Sequence, residues 1–478
     1  MTRRRVGVAG IVAVLLALTL GGWRLQAAPA GPGPVSGPAV PVAGRVASSG
    51  GSHAWYCAGA SAVKGGQADG TLVLANSGAE VLRGTATFYA NQSGRSTPAP
   101  VSRPVAIGPY ARGSLRIGDV LAAPFAAATV VFLGPGGSAE MQVSSPLGTA
   151  AAPCATAPSA QWYLAAGTTK DGASYLLSLF NPFPEDAIAD LSFADDSGRE
   201  APAGFQGIFV PGRSLVMVDL GSHLIEQAAV STTVGVRAGR LVAAGLQLDS
   251  IPGQVGLSVV TAAPAPARAW WLPAGVVGSG LAEQVHVYDP TGAPARVTVE
   301  PHLARGQAAP FVLDLDPGTQ QVLDLSAQPR IPAGDDFSIT VRSQGAPVVV
   351  ERTVQAVPPA PRTGAAEMLA SPGTATSWQV TAGGATSTQD EWLVVADPGR
   401  RAATIRVSYL DQGTERTVPG LGQVVVPAGG HAQLRLGDHL QVADLGLLVD
   451  SDVPVVVERD LYQVKGVGVS LAIPSPVG

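Results

Sequence analysis

The sequence is poor in cysteine, lysine and aromatic residues: two cysteines, three lysines (Lys64, Lys170 and Lys465) and 5% Phe, Trp and Tyr among 478 positions. Two widely separated cysteines without C-x-x-C spacing exclude a redox pair or a cysteine-built metal site. The shortage of lysine beside many arginines marks a GC-rich coding sequence and carries no chemistry. Positive charge is not in excess either. With a formal net charge of −5 and a pI near 5.7, no basic stripe is available to neutralise phosphates, which excludes nucleic acid as a partner. Sparse aromatics beside 59 glycines and 40 prolines speak against long helices and for many short turns, so an all-β fold is expected. Charged residues make up 14% against 46% apolar, a balance that excludes disorder by composition.

Catalytic and metal-binding patterns are missing as well. The six histidines, His53, His223, His286, His302, His431 and His439, are scattered and none has a zinc spacing. There is no Gly-x-Ser-x-Gly elbow and no Asp-rich calcium loop. Three acidic pairs, Asp195-Asp196, Asp335-Asp336 and Asp390-Glu391, fail as glycosidase dyads because neighbours on a strand point to opposite faces. They read as solvated turns. No catalytic residue, cofactor site or metal ligand is therefore expected, and the chain is not expected to be an enzyme.

What is present begins at the N-terminus. Arg3-Arg4-Arg5 precedes an apolar run from Val6 to Trp23, long enough at roughly 18–20 residues to span a bilayer. Residues 1–26 are expected to be a signal-anchor, or a signal peptide cleaved near Ala28-Pro29-Ala30; the arginines stay cytoplasmic in both cases and the remainder is exported. With no cysteine after the run, a lipoprotein anchor is excluded. Residues 27–52, rich in Ala, Pro and Gly, form an extended linker stiffened by Pro29, Pro32, Pro34, Pro38 and Pro41.

The rest repeats. Trp162-Tyr163-Leu164-Ala165-Ala166-Gly167 recurs with substitutions at Trp55, Trp270 and Trp378, giving steps of 107, 108 and 108 residues. Four modules follow, at 53–158, 159–266, 267–374 and 375–478. Each carries about seven short strands bounded by Gly, Asn, Ser and Pro, the size and count of an immunoglobulin-like β-sandwich. Period-two runs such as Ala187-Ile188-Ala189-Asp190-Leu191 place one strand face inward. A module of this length buries a core of its own, so separate domains in a row are expected.

Cys57 and Cys154, at the start and end of module one, are expected to form a disulfide in an exported protein. Trp55, Trp162, Trp270 and Trp378 recur at one module position, which fits a role in each core. Trp271 and Trp392 lie off that position and are the better candidates for a contact surface.

Glu351-Arg352 and Glu458-Arg459 close modules three and four in register with the tryptophans, each after Pro-Val-Val-Val. With the Trp-Tyr-x-Ala-x-Gly opening, the Asn181-Pro182 turn and Val425-Val426-Pro427-Ala428-Gly429, the chain resembles the uncharacterised domain-of-unknown-function proteins of actinobacterial cell envelopes. The resemblance covers nearly everything after the linker and implies architecture and location, not activity. Modules one and two lack the Glu-Arg ending. The expectation is a membrane-anchored extracytoplasmic scaffold or interaction protein whose partner is an envelope protein, the alternative being a carbohydrate-binding protein of the cell wall that uses exposed aromatics.

Overall fold

The computed structural model describes residues 42–92, 98–195 and 198–478. The expected membrane segment, residues 27–41 of the linker and Asp196 lie outside the described residues. Among those described, no helix is long and apolar enough to cross a membrane.

The fold is all-β. Module one consists of β1 (Ser52–Ala60), β2 (Asp69–Asn76), β3 (Leu82–Ala90), β4 (Val101–Ile107), β5 (Ala111–Arg116), β6 (Ala126–Leu133), β7 (Gly137–Ser145) and β8 (Gly148–Pro153). These strands pair as two four-stranded sheets, β1-β6-β3-β4 and β5-β2-β7-β8. Alternation explains why they face each other: in β3, Ala86 and Phe88 are buried while Arg83 and Thr85 are exposed. The buried residues join Trp55, Leu72, Leu74, Val130 and Phe132 in one core.

The same order recurs in the other modules. In module four the sixth and seventh strands fuse into one run, Leu447–Gln463, that pairs in both sheets. The expected immunoglobulin-like arrangement needs correcting in one respect. There the first strand lies beside the second, whereas here it pairs with the sixth in every module.

The modules are not separate domains in a row. The described chain from residue 42 onward falls within one compact unit, because the eighth strands meet around a common axis. Gly148–Pro153 packs on Gln254–Thr261, that strand on Gly364–Leu369, that on Val469–Ala472, and the last returns to the first. Modules two and three even share an eight-stranded sheet through a parallel contact of Gly256 with Ala365. A Cβ on Gly256 would stand 2.2 Å from the Ala365 carbonyl oxygen, so only glycine permits this approach.

Two further contacts tie the modules together, the first of them across the ends of the described chain. Val46, expected in the extended linker but buried in the core of module one, pairs in parallel with Val477, and its N–H donates to Pro476 O at 2.9 Å. Leu246, Leu248, Leu257 and Val259 of module two belong to the core of module one. A module released from its neighbours would expose this apolar surface, which is the physical reason for a ring.

Candidate functional site

Cys57 and Cys154 are joined by a disulfide with Cα atoms 4.6 Å apart, tying β1 to the residue after β8. Closing a loop of this length contributes roughly 4–5 kcal/mol in chain-entropy models. Trp55, Trp162, Trp270 and Trp378 are 0–1% exposed. Each indole N–H reaches the carbonyl at the entry to its module's seventh strand: Gly137, Leu241, Val348 and Val455, at 2.8 to 3.1 Å. Bulk and a donor are both used, so no other residue serves equally. Asn76, Asn181, Asp289 and Asp397 end the second strands, each accepting from the N–H two residues on at 2.7 to 3.0 Å.

The charged residues that recur are spent at the seams between modules. Glu458 accepts from the Ala274 N–H of module three at 3.1 Å and pairs with Arg352, whose guanidinium also meets the Ala274 carbonyl and stands 3.6 Å from Glu283. At the next seam Glu140 of module one accepts from the Thr381 N–H of module four at 2.9 Å. Arg459 reaches Glu140 at 3.5 Å, Ala151 O at 3.1 Å and the carbonyl of Ala382.

The seam between modules two and three keeps the acid and loses the base. Glu351 accepts from the Ala166 N–H at 2.7 Å, but Gly245 occupies the position of the arginines and Tyr175 fills the space, donating to Ala166 O at 3.1 Å. The seam between modules one and two is apolar. Gly59 is pressed against Ser178 and Met217, and Ala244 stands where the other modules carry glutamate.

Burial decides the state of these acids. It pushes Glu351 up to about 8, against the pull of the Ala166 and Ala165 N–H groups. Burial also raises Glu283 and Glu391 to about 7, partly offset by Arg352 and Arg459 respectively. Glu458 and Asp460 are both raised by burial, which outweighs the pull of Arg352.

Beside three of the seams lies a cleft. Its outer wall is the solvent-side face of the second and seventh strands of the following module. Between modules two and three this face presents Gln284, His286, Thr353 and Gln355, with Asp249, Gln254 and Glu367 across a cavity of about 180 Å³. Burial lowers His286 to about 4, and its Nε2 lies 3.1 Å from Thr353 Oγ1. Between modules three and four the corresponding residues are Trp392, Val394, Asp460 and Tyr462 in a cavity also of about 180 Å³. Between modules four and one the lining is polar, with Arg112, Gln142, Gln389 and Arg459 around about 360 Å³. At the first seam Leu176, Leu246 and Leu248 take these positions and pack into the core of module one, so the cleft is filled.

The remaining residues named from sequence are dispersed. Asp390 and Glu391 are not a solvated turn: both are buried in the strand Gln389–Ala396. Asp390 meets Arg362 and Arg435 and accepts from Trp392 Nε1 at 3.1 Å, while Glu391 accepts from the Gly384 N–H at 2.6 Å. Asp195, at the end of the strand Ala187–Asp195, is buried too, as is Asp335, against Arg305, and Asp336 lines the cleft between modules three and four. Of the histidines, His286 enters a cleft, His302 lines a small cavity beside Trp271, and His53, His223, His431 and His439 stay outside the three seam clefts. No group of three or more His, Cys, Asp or Glu able to hold a metal occurs among the described residues. Glu140 carries no Glu-Arg signature because Met141 follows it instead of arginine; its register opposite Val73, matching Glu458 opposite Val394, identifies it.

A model of a family of unknown function, DUF5719, matches residues 132–273 and 254–472. No curated protein matches the sequence. Among solved structures, the Thermotoga maritima 1070 structure aligns at 18% identity and a TM-score of 0.21, covering 22% of this chain and 93% of that one. The Anabaena sensory rhodopsin transducer aligns at 19% and 0.17, covering 18% and 94%. A tetra-tandem repeat from the extending region of a large adhesion protein aligns at 14% and 0.11, covering 84% and 93%. Scores this low carry no argument about fold or function.

Proposed function

We propose, for a chain that belongs to the family of unknown function DUF5719, that it is a membrane-anchored extracytoplasmic scaffold of the bacterial cell envelope that binds and does not catalyse. One observation carries the reading: the recurrent buried charges, Glu140, Glu351, Arg352, Glu458 and Arg459, are engaged with backbone or side-chain groups of the neighbouring module. Groups held in this way fix a rigid surface and are withdrawn from acid–base work. The Arg3-Arg4-Arg5 segment, the apolar run and the proline-stiffened linker support anchoring and display away from the bilayer. An actinobacterial source is part of the same proposal.

In-cell cross-linking of the full-length protein, with identification of what co-purifies, tests it. The scaffold reading predicts recovery of a membrane or envelope protein; recovery of wall glycan with no protein partner overturns it.

A second reading, a carbohydrate-binding protein of the envelope, is favoured by one feature. Exposed aromatics do not form a strip: among the described residues the large exposed apolar side chains include one aromatic, Phe209. Trp392 and Tyr462 instead stand together in the cleft between modules three and four, where a sugar ring would find both a flat face and polar groups.

A further inference from the structure

The three open clefts occupy one structural position and differ in lining, so the differences indicate what each could take. Of the three, the cleft between modules three and four is the one with tryptophan and tyrosine on its sheet wall. Trp392 and Asp460 are directly opposed on neighbouring strands, and Tyr462 follows two residues on, so all three share one face. Tyr462 Oη donates to Asp460 Oδ2 at 3.3 Å, and the Arg362 guanidinium lies 5.1 Å above the Tyr462 ring. Both rings are half-buried; these contacts hold Tyr462, and the hydrogen bond from Trp392 Nε1 to Asp390 Oδ2 at 3.1 Å holds the indole.

The polar groups around this platform are of both kinds. Arg352 and Arg362 each have an Nε–H that meets no acceptor. On the other side, Glu283 Oε1, with the Arg352 guanidinium 3.6 Å away, and Asp460 Oδ1 accept no close hydrogen bond, the Asp460 carboxyl also meeting that of Glu458. Buried groups left this way are costly unless a ligand or water completes them. Two arginines against Glu283, Asp336 and Asp460 leave little net charge, so neither a cation nor an anion is selected. A molecule with hydroxyls that both donate and accept, and with an apolar ring face, fits. At about 180 Å³ the space is below the roughly 300–1,000 Å³ of drug-sized sites, which suits one ring or a chain end.

We propose that the cleft between modules three and four binds one ring of a neutral saccharide, stacked on Trp392 and Tyr462 and held through hydroxyls by Arg352, Arg362 and Asp460. This rests on the carbohydrate-binding reading and names its site. The equivalent cleft between modules two and three has Gln284 and Gln355 in place of the indole and the phenol.

Calorimetric titration of the full chain, in a detergent without a sugar headgroup, with maltotriose, cellotriose, mannotriose and chitotriose tests the site. At least one is expected to bind, with Trp392→Ala and Tyr462→Ala each weakening it up to about tenfold. Gln284→Ala should bind as the native chain does, and unchanged melting midpoints should show the cleft variants folded. Binding that ignores both ring substitutions overturns this site and leaves the carbohydrate reading standing. If no trisaccharide binds but isolated wall polysaccharide is retained equally by native chain and variants, the site again fails alone. Retention of neither removes both.

Discussion

At the scale of single residues, the fate of a buried acid is set by whether a cation accompanies it. Glu458 has Arg352 and Glu140 has Arg459, whereas Glu351 has only N–H donors and a tyrosine nearby. Its folded value of about 8 stands above the ordinary 4.5, so the folded chain holds a proton that the unfolded chain releases. The stability linked to that proton is complete below the unfolded value and is lost as pH rises through about 8, at no more than about 1.4 kcal/mol per pH unit for one group. Glu351→Gln keeps an acceptor for the Ala166 N–H and abolishes the titration. Urea unfolding followed between about pH 5 and pH 8 should show a shallower fall in the variant than in the native chain; equal slopes would place a charged Glu351 in the fold.

The four tryptophans were legible in the sequence because a large residue with a fixed donor recurs at a constant step. The seam chemistry was not, since Tyr175, Gly245 and Met141 stand where a glutamate or arginine pattern would have exposed it.

Strands were legible for a related reason. Period-two alternation separates two faces of a strand and shows that one is apolar, but it does not say what covers the other. Gln284, His286, Trp392 and Asp460 all lie on that second face, which the preceding module covers in part. Asp390-Glu391 reads as a solvated turn in sequence, yet both acids lie in a strand, where burial is tolerated because Arg362 and Arg435 meet the first and the Gly384 N–H the second. The immunoglobulin-like order failed for another cause: strand count and length do not specify which strands pair.

The element on which assembly most depends is the eighth strand. Gly256→Val would drive a side chain into the Ala365 carbonyl, a backbone atom unable to yield, where a Cβ stands 2.2 Å away. A loss of about 1–3 kcal/mol or more is expected by urea unfolding. Gly235→Ala, with its nearest neighbour 3.9 Å away, serves as the comparison. If the two substitutions cost the same, the parallel contact between modules two and three is not as described.

At the scale of the molecule, the repeat was legible and its closure was not, because the closing contacts join residues far apart in sequence. Arg112 meets Asp444 at 2.7 Å, Ser138 Oγ lies 2.6 Å from Thr381 Oγ1, and Ala151 N donates to Ser470 Oγ at 3.2 Å. Nothing in the amino-acid order separates four modules in a row from four modules in a ring; shared apolar surface decides it. Each cleft depends on this geometry, since it exists only where two modules meet.

Closure is therefore the claim to test first, and a cysteine pair tests it most directly. Ser138→Cys with Thr381→Cys places thiols 243 positions apart, in modules that touch only if the ring is closed. Mild oxidation followed by peptide mapping should recover a 138–381 disulfide beside the native one between Cys57 and Cys154. Two free thiols at these positions, both open to alkylation in the folded protein, would contradict the ring.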